Sequence, residues 1–462
     1  MKKFSFNTLV MIYGVVVLVA VATWIIPGGE YRRETADGKT VVMPDSFAFV
    51  TSQPQGLGAI LAAPVRGFVQ AAHIIAFLFV IGGTFSVIQK TGAISVAVQK
   101  LAILFAQKPH LQKFFIPVTM TVFSLGGTIF GMSEETMPFV LIFIPLALSL
   151  GYDSLVGTAI PFLGAASGFA GSTLNPFTVG IAQGIAELPL YSGLGYRIVI
   201  WLISVVSMIT FVMLYASRVR RNPGMSPVCE LDRNRKHAFH LDNTREVSFT
   251  FPHKLVLSAF VAAIALLVFG ILQFNWYINE IAALFLGLGI VSGLAGRLSI
   301  GEITDGFRGG ARDMVGVALI IGCARAILVV ATDGKILDVM LYALSRVIAG
   351  VHPVVAAQMM FVTQGIINFF VHSGSGQAAL TMPVMAPLAD VVGITRQTAV
   401  LAFQFGEGWI NPILPTSGVT MGVLGLAGIP WEKWMKWMLP AQIFFFVLAL
   451  LLLIPPYFFG YH

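Results

Sequence analysis

Two short stretches rich in Gly and Ser hold most of the side chains that could do chemistry, and each interrupts an apolar region. Gly lets the backbone turn sharply, and amides exposed at a helix N-terminus can hold an anion such as a carboxylate. Acidic side chains at membrane depth could bind a proton, a cation or the amino group of a solute. The stretches supply the candidate solute-binding residues Ser133, Glu134, Glu135, His372, Ser373, Ser375 and Gln377.

Two Asn-Pro pairs, Asn175–Pro176 and Asn411–Pro412, interrupt two further apolar runs. Pro removes a backbone hydrogen bond and frees a carbonyl, so each pair predicts a broken helix. Four residues in these runs join the candidate solute site: Asn175, Glu407, Asn411 and Thr416. Freed carbonyls with Ser and Thr oxygens could hold Na⁺, and the candidate positions are Gly127, Thr128, Ser172, Thr173, Gly374, Gly376, Gly408 and Ser417.

The elements that must position these residues are membrane-spanning helices. The 462 residues are 57% hydrophobic and 11% charged, whereas soluble domains carry about 25% charged residues. The mean hydropathy is +0.86. The composition predicts an all-α polytopic membrane protein surrounded by lipid. In such a protein the net charge of +7 indicates basic cytoplasmic loops and not nucleic-acid binding.

An internal repeat organises the apolar runs. A shift of 242 residues places Arg66–Gly67 on Arg308–Gly309 and Ser133 on Ser375, and a shift of 236 places Asn175 on Asn411. The predicted units are an N-terminal repeat 1–217, with a re-entrant hairpin at about 110–150 and a broken helix 155–186; a linker 218–254; and a C-terminal repeat 255–462, with a linking helix 255–273, a hairpin at about 352–392 and a broken helix 397–427.

The charge of the loops predicts the orientation. The linker 218–254 has eight basic and four acidic residues, while the first loop 28–55 has three basic and four acidic ones. By the positive-inside rule the linker and the N-terminus, with Lys2 and Lys3, are cytoplasmic and the C-terminus is external. The two repeats then have opposite topology. Inverted repeats with broken helices and a site at the midplane are typical of secondary transporters.

The sequence around these sites resembles the YfcC family, within the DcuC-like part of the ion transporter superfamily. The similar stretches are 123–135, 150–154, 369–383 and 401–408, and the likeness extends over almost the whole chain. The resemblance implies a homodimer in the bacterial inner membrane, with a scaffold domain and a transport domain in each subunit. Transport would follow an elevator mechanism, in which the domain with both hairpins slides against the scaffold.

The resemblance implies two substrate classes. Members of the family are described as basic amino acid (arginine/ornithine-type) antiporters or as C4-dicarboxylate carriers. Dicarboxylate carriers of the superfamily have Ser-Asn-Thr at both hairpin tips, where this chain has Gly131–Met–Ser–Glu–Glu135 and Ser373–Gly–Ser–Gly–Gln377. Two acids at one tip repel a dianion. We therefore expect the substrate to be a small amino acid or a related carboxylate. The leading candidate is a basic amino acid that is exchanged for another.

Three alternatives remain open at this stage. One is Na⁺- or H⁺-coupled transport of a C4-dicarboxylate or another organic anion, in which either ion drives uptake. A second is a channel, with the same site but no alternating access. A third is a membrane enzyme, which the sequence disfavours because it shows no nucleophile, metal or cofactor motif. No cofactor is expected apart from a possible coupling ion.

Overall fold

The computed structural model describes residues 8–36, 39–43, 46–238, 250–274, 276 and 278–461. Long apolar runs favour helices, and helix is the dominant element. Within these ranges the α-helices are α1 Thr8–Ile25, α2 Leu57–Gln70, α3 Ala72–Lys90, α4 Ala93–Gln107, α5 Pro109–Phe130, α6 Met137–Ser149, α7 Ser154–Ala170, α8 Ile181–Ile185, α9 Leu194–Arg221, α10 Cys229–Ala238, α11 Phe251–Phe274, α12 Ile278–Ala295, α13 Ile300–Asp313, α14 Val315–Asp333, α15 Leu337–Ile348, α16 Pro353–Phe370, α17 Gly374–Val392, α18 Arg396–Gly408, α19 Gly418–Ala427, α20 Trp431–Leu452 and α21 Pro455–Phe459.

The fold is not purely helical, which corrects the all-α prediction. The loop after α1 forms four short strands, β1 Gly28–Glu30, β2 Arg33–Ala36, β3 Lys39–Val42 and β4 Ala48–Val50. They make two antiparallel pairs, β1 with β4 and β2 with β3. The strands contain β-branched and aromatic residues such as Val41 and Phe49, which favour extended backbone. Arg33 of this loop donates to Asp338 at 2.7 Å and so ties the loop to α15.

Eight helical segments are long and apolar enough to cross a membrane within the described residues. A span needs about 20 predominantly apolar residues. The eight candidates are Ala72–Lys90, Leu194–Arg221, Phe251–Gly270, Ile278–Ala295, Val315–Asp333, Pro353–Phe370, Arg396–Ala427 and Trp431–Phe459. The chain is therefore a multi-pass membrane protein.

The helices pack in two groups. The first helix group contains α1, α2, α3, α12, α13 and α14, in which α2 packs on α14 and α13 on α3. The second helix group contains α5 to α9 and α16 to α20, in which α5 packs on α7 and α16 on α18. The two groups meet where α19 contacts α3 and α14.

Glycines allow α5 and α7 to touch through their backbones. A Cβ atom added at Gly127 would lie 2.1 Å from the Ala165 carbonyl oxygen, and one added at Gly168 would lie 1.8 Å from the Ser124 carbonyl oxygen. Small residues are typical of such close helix contacts in membranes. This contact fixes the first Gly-rich stretch against the first broken helix.

The order of elements recurs along the chain. A helix pair, a broken helix and a long helix follow one another as α5 to α9 and again as α16 to α20. Gly151 and Gly393, which the shift of 242 superimposes, both have positive φ, at 83° and 75°. The two Asn-Pro pairs, however, do not match. Asn175 immediately precedes the second part of its broken helix, whereas Asn411 begins a 3₁₀ turn well before α19. Aligning Asn175 with Asn411 was therefore wrong, and Ser417 occupies the equivalent cap position.

The linker is shorter than predicted, because α9 extends to Arg221 and α11 begins at Phe251. Its helix α10 is tied to both broken helices. Asp232 accepts a hydrogen bond from the Ser154 amide at 2.8 Å, at the start of α7. Arg235 donates to the Gly428 carbonyl at 3.0 Å, at the end of α19. The basic residues Lys2, Lys3 and Arg245, on which part of the orientation rests, lie outside the described residues.

Candidate functional site

A cavity of about 370 Å³ lies where the interrupted helices of the chain meet. Small-molecule sites typically measure about 300–1,000 Å³ and combine an apolar wall with a few polar groups. Of the predicted solute-binding residues, the cavity is lined by Ser133, Glu134, Glu135, His372, Ser373, Ser375, Glu407 and Asn411. The structure thus brings together residues that are nearly 280 positions apart in the sequence.

The first wall is the turn between α5 and α6. Helix α5 ends at Phe130 and is capped by Gly131, whose φ of +75° suits a residue without a Cβ. The Ser133 amide donates to Glu135 Oε2 at 2.8 Å, so the Glu135 side chain closes the turn on itself. Glu135 is buried and Glu134 is only partly so. Glu134 therefore has the carboxylate that is more accessible to a solute.

The second wall is the turn between α16 and α17. Ser373 caps α17 by accepting a hydrogen bond from the Gly376 amide at 3.2 Å. His372 is hydrogen-bonded to Thr416, which couples this turn to the break before α19. Gly374 and Ser375, the first residues of α17, line the cavity. Backbone amides at a helix N-terminus can bind an anionic group, so this wall could receive one.

Glu407, in the last turn of α18, forms the third wall. Its side chain is 2% exposed. The Asn411 side chain donates to Glu407 Oε1 at 2.9 Å, while Oε2 has no hydrogen-bond partner among the described residues. Glu134 lines the same cavity. Two carboxylates in one cavity favour a bound cation or proton there.

Three predicted solute-binding residues do not line the cavity. Asn175 accepts from the Phe177 amide at 2.9 Å and packs against Gly131. Gln377 is fully buried and donates to Gln364. Thr416 reaches the site only through His372. These side chains make hydrogen bonds within the protein and do not line the cavity. Asn175 Nδ2 and Gln377 Oε1 are buried without a partner among the described residues.

Some of the candidate Na⁺ positions line the cavity and others do not. Gly374, Gly408 and Ser417 line the cavity. Thr128, Ser172 and Thr173 are buried at the break after α7, where the Thr173 amide donates to Thr128 Oγ1 at 3.0 Å. The remaining positions, Gly127 and Gly376, do not line the cavity either. An Na⁺ site stays a prediction.

Arg325, which was not among the predicted residues, lines the same cavity. Arg325 lies inside the apolar helix α14, so an isolated charge within a hydrophobic run was the signal that could have revealed it. The cavity also has a wall of aromatic residues and three hydroxyl groups that were not predicted. These residues are Phe162, Phe169, Phe177, Thr136, Thr178 and Thr420.

The charges of the cavity wall are mostly acidic. With the three carboxyl groups and Arg325 ionised and His372 neutral, the lining has a formal charge of −3 + 1 = −2. A lining with both signs suits a solute with both signs, and the acidic excess favours a solute that carries more positive charge.

A polar cavity enclosed by broken helices of a multi-pass membrane protein defines a secondary transporter. The chain belongs to the DcuC family, described as C4-dicarboxylate anaerobic carrier, which matches residues 6–457. A protein of Escherichia coli (strain K12) with the name "Putative basic amino acid antiporter YfcC" is 38% identical over 91% of this chain and 90% of its own length. An uncharacterised protein of Haemophilus influenzae (strain ATCC 51907 / DSM 11121 / KW20 / Rd) is 30% identical over 90% of each chain.

Two solved structures show distant likeness. The YdaH transporter of Alcanivorax borkumensis is 15% identical, with 98% of this chain and 99% of the other covered and a TM-score of 0.42. MtrF of Neisseria gonorrhoeae, from a class of antimetabolite efflux pumps, is 16% identical, with 98% and 95% covered and a TM-score of 0.42. These scores are too low to carry an argument about mechanism.

Proposed function

We propose that this protein exchanges basic amino acids of the arginine/ornithine type across the bacterial inner membrane. The observation that carries the proposal is the charge of the cavity, which three carboxylates and one guanidinium line. A basic amino acid has two positive groups and one carboxylate, so it complements this wall. The name of the Escherichia coli relative agrees with this substrate class.

The second candidate is Na⁺- or H⁺-coupled transport of a C4-dicarboxylate or another organic anion. The description of the family favours it, and Arg325 and His372 both line the cavity and could bind carboxylates. A dianion, however, would make the formal charge of the occupied site more negative, from −2 to −4, unless protons or cations entered with it. Coupling to H⁺ or Na⁺ would then be obligatory.

An elevator mechanism with inverted repeats is proposed for the movement. The cavity lies between the two helix groups, because Ile74 and Arg325 come from the first helix group and its acidic residues from the second. The recurring order of elements supports two repeats. In this proposal the first helix group is the scaffold of a homodimer, and the second carries the solute across the membrane.

The same proposal sets the orientation. Helix α9 ends in Arg218, Arg220 and Arg221, and basic residues at the end of a span favour the cytoplasmic side. The N-terminus and the linker are then cytoplasmic and the C-terminus external.

The proposed function is tested by ligand-induced thermal stabilisation of the purified protein. The panel contains arginine, ornithine, lysine, citrulline, succinate and fumarate, each with and without Na⁺. A ligand that binds the folded protein raises its melting temperature. We expect stabilisation by arginine and ornithine, lost in Glu407→Gln and retained in Glu230→Gln, a matched change at an exposed position of α10. Stabilisation by succinate alone, and only with Na⁺, would leave the organic-anion transporter as the function.

A further inference from the structure

Arg325 is a charged residue at the middle of an apolar helix. Helix α14 extends from Val315 to Asp333, which places Arg325 ten residues after its start and eight before its end. At 1.5 Å per residue these intervals are about 15 and 12 Å. The arginine is too far from either end for its position to be explained as an interfacial anchor. A charge at this depth is costly to the protein and marks a functional site by default.

No acidic side chain in the described part of the chain is in direct contact with Arg325 as an ion pair. The Nε atom of Arg325 is buried there without a hydrogen-bond partner. The acidic residue at the end of the same helix, Asp333, is paired with Arg66 instead. The guanidinium of Arg325 therefore faces the cavity with unused hydrogen-bonding capacity.

We propose that Arg325 binds the carboxylate of the transported solute and makes that carboxylate a requirement for binding. The inference rests on the proposed function and adds which groups of the substrate are recognised. The planar guanidinium offers two parallel N–H donors that match a carboxylate. The acidic residues Glu134 and Glu407 then hold the positive groups of the solute. Amines that lack a carboxylate are rejected, because they leave the partly buried guanidinium without an anionic partner.

The test compares the binding of arginine with that of agmatine, which is arginine without its carboxylate. The variants are Arg325→Gln, Arg325→Lys and the control Arg308→Gln, at a position whose side chain is 84% exposed. We expect the wild type to prefer arginine. In Arg325→Gln the affinity for arginine falls about 10- to 150-fold, as for one charge-assisted contact, while that for agmatine does not fall. Arg325→Lys keeps the charge but loses the paired donors. We therefore expect its affinity for arginine to lie between those of the wild type and Arg325→Gln.

Several outcomes separate this inference from the proposed function. If Arg325→Gln weakens arginine and agmatine equally, or leaves the preference intact, the role of Arg325 is wrong although the substrate class stands. If the wild type binds succinate and neither arginine nor agmatine, the substrate class is wrong. The carboxylate role is then retained if Arg325→Gln loses succinate binding and overturned if it does not. A wild type that binds none of the three contradicts both.

Discussion

At the scale of single residues, the two neighbouring acids in the turn between α5 and α6 have different surroundings. Glu135 is 6% exposed and accepts the Ser133 amide, while Glu134 is more accessible. The sequence could not assign these roles, because adjacent residues in an irregular turn follow no periodicity. The structure shows that Glu135 is hydrogen-bonded within the turn and that Glu134 is the more exposed of the two.

The first prediction concerns this division. Glu135→Ala leaves the Ser133 amide without its acceptor and is expected to destabilise the fold by about 1–3 kcal/mol. Glu135→Gln keeps an acceptor oxygen and should cost less. The measurement is the melting temperature of both variants without ligand. Equal stability of the two variants would show that the hydrogen bond to Ser133 does not hold the turn.

Most of the polar and charged residues of the cavity could be predicted from the sequence, but not all of them. Ser133, Glu134 and His372 were predicted because Gly, Ser and charged residues stand out where they interrupt apolar runs. Arg325 was missed because the apolar residues around it made α14 look like an ordinary span. Gln377 was assigned to the solute site because a sequence does not show that its Nε2 donates to Gln364 within the protein.

At the scale of helices and strands, the two broken helices could be predicted and the strands could not. A Pro within an apolar run marks a helix break through its missing amide. The strands β1 to β4 have three or four residues each, too few for an alternating pattern to be recognised. The alignment of Asn175 with Asn411 was wrong because the two Asn-Pro pairs have the same sequence but lie at different distances from the helix that follows.

The contact between α5 and α7 gives a prediction about stability. In Gly168→Ala the new Cβ would lie 1.8 Å from the Ser124 carbonyl oxygen, so the helices must separate. We expect a loss of about 1–3 kcal/mol, as for overpacking. Gly316→Ala is the control, because a Cβ there meets no atom within 4 Å. Melting temperatures in detergent compare the two, and a Gly168→Ala protein as stable as the control would contradict the close contact.

At the scale of the whole molecule, the proposed movement requires the two helix groups to slide past each other. A Cβ atom added at Gly418 in α19 would lie 3.4 Å from Ile74 Cδ1 in α3. This neighbouring pair joins the two groups beside the cavity. A covalent link between the two positions would therefore hold the groups in the arrangement seen here.

The corresponding prediction uses Ile74→Cys with Gly418→Cys, after both native cysteines, Cys229 and Cys323, have been replaced. Oxidation is expected to stop transport while solute binding persists, and reduction should restore transport. Thr84→Cys with Gly289→Cys is the control, since a Cβ at Gly289 lies 3.4 Å from Thr84 Cβ within the first helix group. Full transport by the oxidised Ile74–Gly418 pair would rule out sliding at this contact.

The most direct test of the central claim is counterflow in proteoliposomes that contain the purified protein. Vesicles loaded with unlabelled ornithine are diluted into labelled arginine, with no ion gradient across the membrane. An exchanger for basic amino acids takes up the label transiently above equilibrium, and it does so much less when the vesicles are loaded with succinate or left empty. Uptake of labelled succinate that depends on an Na⁺ or H⁺ gradient, without arginine–ornithine counterflow, would contradict the account.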